Sequence, residues 1–210
     1  MPGSATTRPR RSLKRTTAAA LTAAGLLVAL APSIARADSS PAAASGASVT
    51  RSVDAAAALP AGTWWGVQGG RTTANYNEYF PGYKFGCNGD QRHKGVDVGA
   101  PTGNRVYAWG RGRVVGRGYD PGGYHRWIQV YFPSVNMSLT LGHLRDGSEM
   151  RVGTTFNKGA LWARVGTKAD GLNHAHVHFR AARGNHGAAP IGPCEDMNPF
   201  ILWNALGLPS

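Results

Sequence analysis

From about Gly62 onward, apolar residues come in short runs broken by glycine, and no stretch holds the period of an amphipathic helix. Runs of this kind, rich in Val, Tyr and Trp, predict strands. The candidates span residues 105–109, 112–118, 124–132, 137–143, 160–165 and 174–182. Pro133-Ser134-Val135-Asn136 supplies turn residues between the third and fourth. Near the end, Asn198 is placed to cap a short helix with Pro199 in its first turn. Phe200, Ile201, Leu202, Trp203, Ala205 and Leu206 would be its apolar residues and Gly207 its stop. The pattern therefore predicts an all-β domain with a short C-terminal helix. No internal repeat is visible.

The first 61 residues do not share this pattern. Arg8, Arg10, Arg11, Lys14 and Arg15 precede an alanine-rich apolar run containing Leu21, Leu26, Leu27, Val28 and Leu30. The run ends at Ala35-Arg36-Ala37, an A-x-A cleavage pattern, so residues 1–37 read as a secretory signal peptide. The Arg10-Arg11 pair leaves both the general and the twin-arginine export routes open. Residues 38–61 carry too little large apolar surface to fold, and read as a linker or short pro-segment. That leaves 62–210 as the domain, with no segment apolar enough to stay in a membrane and a monomer as the simplest state.

Export changes the charge and the cysteine chemistry. Six of the 23 basic residues precede Asp38 and none of the 11 acidic ones does, which leaves 17 against 11, a net +6. A secreted, moderately basic protein suits anionic cell-wall polymers. Nucleic acid is excluded as a partner because no basic stripe interleaved with aromatics occurs. Cys87 and Cys194 are the only cysteines, and in an oxidising compartment they form one disulfide.

Three segments carry candidate chemistry. In His174-Ala175-His176-Val177-His178-Phe179, strand alternation puts the three imidazoles on one face and the apolar residues on the other. In His93-Lys94-Gly95-Val96-Asp97, an extended chain would put His93 and Asp97 on one face, with Gly95 leaving room for an ion. An imidazole, a carboxylate and one further imidazole make a three-ligand site with an open fourth position, the arrangement of catalytic zinc. In Leu139-Thr140-Leu141-Gly142-His143, alternation groups His143 with the two leucines at the end of a strand. His125 and His186 read as ordinary surface residues, and Tyr83, Asn88 and Asp90 as residues that could line a groove.

The ordered set HKGVD, GHL and HVHF, spread over residues 90–182, resembles the lysostaphin-type (LytM-like) peptidoglycan endopeptidases. The resemblance implies an antiparallel β-sheet core with a narrow groove walled by loops. It implies one Zn2+ per chain held by His93, Asp97 and His178, with His143 and His176 as catalytic histidines that do not bind the metal. His176 is assigned the general base and His143 the oxyanion or water-orienting role, and the two could exchange. The implied substrate is cell-wall peptide. A non-catalytic wall-binding or activating module and a general secreted zinc protease are the alternatives. Leu141 stands where the family commonly has Tyr, and Arg180 where it commonly has an acid.

Overall fold

In the computed structural model the described residues are 58–167 and 174–209. The predicted signal segment, most of the predicted linker and residues 168–173 lie outside them. The strands are β1 (Thr63–Trp64), β2 (Val67–Gln68), β3 (Arg71–Ala74), β4 (Val96–Gly99), β5 (Arg105–Tyr107), β6 (Gly112–Asp120), β7 (His125–Phe132), β8 (Met137–Gly142), β9 (Thr155–Phe156), β10 (Leu161–Arg164) and β11 (His176–Arg183). A single α-helix among the described residues, α1 (Pro199–Ala205), follows them, and a short 3-10 turn spans Cys87–Gly89. The strands form a seven-stranded sheet ordered β3-β4-β11-β8-β7-β6-β9 and a four-stranded sheet ordered β1-β2-β5-β10, with every pairing antiparallel.

Alternation decides which face is core. Val96 and Val98 on β4, Val177 and Phe179 on β11, and Leu139 and Leu141 on β8 are fully buried and form one apolar face. Trp65, Trp109, Trp162, Trp203 and Phe132 pack into the same cluster, and the Trp109 indole N–H donates to the Trp65 carbonyl at 2.8 Å. Helix α1 adds Leu202 and Trp203 to it. The Asn198 side chain caps this helix by accepting from the Phe200 N–H, and Gly207 follows it at φ 66°, both as the sequence predicts.

The other face of the large sheet is polar. Ser138, Thr140 and Gln129 are buried there because residues 184–193 run across them. Thr140 Oγ1 donates to the Gln129 side-chain carbonyl and accepts the Ile191 N–H, and Ser138 Oγ donates to the Gly184 carbonyl. Each hydroxyl thus satisfies backbone that the crossing segment would otherwise strand. The same segment leads to Cys194, which is bonded to Cys87.

Several boundaries differ from the sequence expectation. β1, β2, β3 and β9 are short and carry no alternation long enough to read. β11 starts at His176, so His174 lies outside the strand. β4 starts at Val96, so His93 is not on a strand shared with Asp97. The hairpin at 133–136 is present, with Phe132 paired to Met137 across it.

The disulfide closes a separation of 107 residues. Replacing Cys87 and Cys194 with Ser should lower unfolding free energy by about 3–5 kcal/mol, because the unfolded chain regains that loop's entropy. Denaturant titration of the oxidised and variant proteins measures it, and equal midpoints would contradict the expectation.

Candidate active site

The site is built on one pairing. In the β4–β11 ladder, Asp97 stands directly opposite His178, and Gly99 opposite His176. Residues opposite one another in an antiparallel pair share a face. Asp97 and His178 therefore project together, on the face away from the valines and Phe179. Asp97 Oδ1 lies 2.8 Å from His178 Nδ1.

His93 reaches the same point from a loop. Its N–H donates to the Glu78 carbonyl at 2.8 Å and its carbonyl accepts from the Asn77 N–H at 2.7 Å, which pins the loop to the preceding segment. The ring Nδ1 sits 3.1 Å from the Asn75 carbonyl. A carbonyl can only accept, so Nδ1 carries the proton and Nε2 keeps its lone pair. That lone pair faces His178 Nδ1 at 3.0 Å and Asp97 Oδ1 at 3.3 Å. Three ligand-type atoms thus form a triangle with edges of 2.8–3.3 Å. An N,N,O set of this size fits a tetrahedral zinc, whose bonds of about 2.0–2.2 Å put neighbouring ligands roughly 3.3 Å apart. A His93–Asp97–His178 group able to hold a metal ion is therefore present.

Gly95 is required by this packing. A Cβ there would lie 2.5 Å from Cε1 and Nε2 of His178 and 2.5 Å from the Phe179 carbonyl oxygen. The sequence expectation that Gly95 makes room is met, but what it makes room for is the imidazole of His178.

His176 and His143 stand beside the triangle, with ring centroids 4.4 Å apart. His176 Nδ1 lies 3.0 Å from the His174 carbonyl, which fixes its proton there and leaves Nε2, 3.8 Å from Asp97 Oδ2, as the basic nitrogen. His143 does not follow strand alternation. β8 ends at Gly142, and His143 takes a left-handed φ of 62° that turns its ring out of the leucine face and beside His176. Gly142 is opposite His178, and a Cβ on it would meet Tyr124 Cδ1 at 2.7 Å.

Burial sets the charges. Desolvation drives the His143 imidazole down to about 2 and the His178 imidazole down to about 4, and neighbouring histidines push the same way. His176 is lowered by desolvation too, against the pull of Asp97. Asp97 is itself desolvated, but the hydrogen bond it accepts from His178, with the His93 imidazole beside it, outweighs this and holds it well below the usual carboxylate range. Three neutral imidazoles, those of His143, His176 and His178, thus stand beside an ionised carboxylate.

These five residues line one groove of about 1160 Å³, roomy enough for an extended peptide. Its walls are Phe80, Tyr83 and Phe85 on one side and Pro190, Ile191 and Pro193 on the other, and Cys87–Cys194 ties the two loops together. Arg180, two residues past His178 on the same face, donates to the carbonyls of Lys94 and Ile191 at 2.8 and 3.3 Å. It braces the His93 loop against the second wall. Tyr83 lines the groove as expected; Asn88 and Asp90 are not among the lining residues, and Asp90 pairs instead with Lys94 at 2.5 Å. His125 corrects the sequence expectation: it lies in the groove, 5.4 Å from His143 between ring centroids. No short motif marks it.

The model of peptidase family M23 matches residues 91–190, the stretch that contains all five residues. Residues 91–190 form a domain of peptidase family M23. The catalytic domain of the antimicrobial peptidase lysostaphin from Staphylococcus simulans has the same fold, with a TM-score of 0.52 at 17% identity over 65% of this chain and 93% of that one. The antimicrobial peptidase lysostaphin from the same organism gives 0.53 at 20% identity, over 67% of this chain and 52% of that one. The structure of LytU gives 0.51 at 22%, over 64% and 85%. No curated protein matches the chain. The antiparallel sheets, the loop-walled groove and the short C-terminal helix are those the sequence implied.

Two outcomes follow from this geometry. Gly95→Ala should displace His178 and weaken zinc binding by about 10–100-fold, read by competition with a chromophoric chelator; unchanged affinity would show that the ring accommodates a methyl group. His143 binds a proton far more readily unfolded, where its pKa is near 6.5, than folded. Metal-free protein should therefore keep its full stability above that value and lose up to about 1.4 kcal/mol per pH unit from this group as pH falls below it. His143→Gln should flatten that slope in urea titrations between pH 7 and 5.

Proposed function

We propose that the chain is a secreted zinc metallo-endopeptidase that hydrolyses peptide bonds in bacterial cell-wall peptidoglycan. One observation carries the reading. A carboxylate and two imidazoles bring ligand atoms within 3.3 Å of one another at the floor of a groove, beside two more imidazoles that burial keeps neutral. The disulfide fits an oxidising, extracellular location. Membership of a peptidase family and a lysostaphin-like fold support a peptide substrate from the wall.

In this reading His93, Asp97 and His178 hold one zinc ion. When bound, zinc supplies a Lewis acid and lowers the pKa of a coordinated water toward neutrality. The chain's own side chains do the rest. His176, its Nδ1 proton anchored on the His174 carbonyl, offers Nε2 to take a proton from the attacking water. His143, neutral because it is buried, donates a hydrogen bond to the oxygen that gains charge as the peptide carbonyl becomes tetrahedral. Asp97 stays ionised and holds the imidazoles around it. The groove walls orient the peptide and exclude water.

His178→Ala should abolish zinc binding and digestion of purified sacculi together. His176→Ala should keep zinc and lose about 10²–10⁴-fold in turnover. Metal analysis and release of soluble wall fragments measure both. Undiminished hydrolysis by zinc-loaded His176→Ala would falsify the base assignment, and wild-type protein that binds zinc but leaves sacculi intact would sink the substrate.

A further inference from the structure

His125 belongs to no motif, yet the backbone is bent to bring it into the groove. It begins β7 at φ 52°, in the left-handed region that a side chain disfavours, as does His143 at φ 62°. Strained residues of this kind persist only where the surrounding structure over-determines them. Here it does. The His143 N–H donates to the carbonyl of Tyr124, the residue before His125, at 2.7 Å. The Asp120 carboxylate, at the end of β6 opposite His125, accepts from the N–H groups of Gly122 at 3.0 Å and Tyr124 at 3.4 Å. The two histidines are therefore held on either side of one hydrogen bond, with their rings tilted 44° and 5.4 Å apart.

Their nitrogens give the chemistry. Nδ1 of each ring is buried without a hydrogen-bond partner. An N–H buried with no acceptor is the rarer and costlier choice, so Nδ1 of each ring is left bare and Nε2 carries the N–H. No Nε2 partner occurs among the described residues for either ring, and both rings line the groove. We propose that His125 is a substrate-contacting residue: its Nε2–H donates to a backbone carbonyl oxygen of the bound peptide next to the one met by His143, fixing the chain across the reacting centre. This rests on the reading of the groove as a peptide-hydrolysing site.

The test uses His125→Gly and His125→Gln. Glycine removes the donor and relieves the left-handed backbone; glutamine keeps an N–H near the place of Nε2. Each is assayed for kcat and KM on soluble cross-linked peptides from purified sacculi, with melting temperature and zinc content measured alongside. His125→Gly should melt no lower than wild type, hold the same zinc and lose about tenfold or more in kcat/KM, the worth of one hydrogen bond at the upper end of its range. His125→Gln should recover most of the loss. Wild-type kcat/KM in His125→Gly, a drop in its melting temperature or zinc content, or a glutamine variant as impaired as the glycine one would each overturn the proposal. Wild-type protein that cuts none of these peptides would take down the hydrolase reading and this inference with it, a result distinct from active wild type beside an equally active His125→Gly.

Discussion

The pairing of β4 with β11 is the constraint on which the site depends. It sets Asp97 opposite His178 and Val98 opposite Val177. A slip of one residue would move every side chain of β11 to the other face. Such a slip would put Phe179 in the groove and His178 in the apolar core, where an imidazole has no partner. The fully buried valines and Phe179 therefore hold the register, and the register holds the ligand atoms together. Core and site are two faces of the same ladder.

Burial does a second job at the same place. Imidazoles at a surface would be partly protonated near neutrality and would repel one another and any cation. Here desolvation keeps His143, His176 and His178 in the neutral form. Asp97 stays charged because the hydrogen bond from His178, with the His93 imidazole beside it, outweighs its own desolvation. One anion among neutral nitrogens is the balance that a divalent ion requires of its ligands. The backbone carbonyls of Asn75 and His174 fix which nitrogen of His93 and of His176 is free. These contacts come from outside the motifs, and they give the motif histidines their chemistry.

The walls are held by a separate set of contacts. Arg180 reaches from β11 to Lys94 and Ile191, and Tyr124 donates from its hydroxyl to the Ile191 carbonyl at 2.7 Å. With Cys87–Cys194 these fix both loops over the sheet. A buried guanidinium is tolerated there because backbone carbonyls accept from it and its plane lies over the Tyr124 ring, 5.2 Å from the centroid.

The sequence by itself determined the β-rich class, the longer strands, the helix with its Asn198 cap and Gly207 stop, and the five motif residues. Those signals are local: a period of two, a capping residue, or a short ordered string of ligand types. Only the tertiary structure decided the rest. That His93 reaches Asp97 from a loop follows from hydrogen bonds to Glu78 and Asn77, which no spacing encodes. That His143 faces the groove, against its alternation with Leu139 and Leu141, follows from a single left-handed residue at the strand end. That His125 joins it follows from a turn closed by Asp120 and a bond to the neighbouring strand. Periodicity reports which way side chains point while a strand lasts. Where strands end, direction is set by contacts between segments far apart in the chain, and these exist only once the sheet has formed.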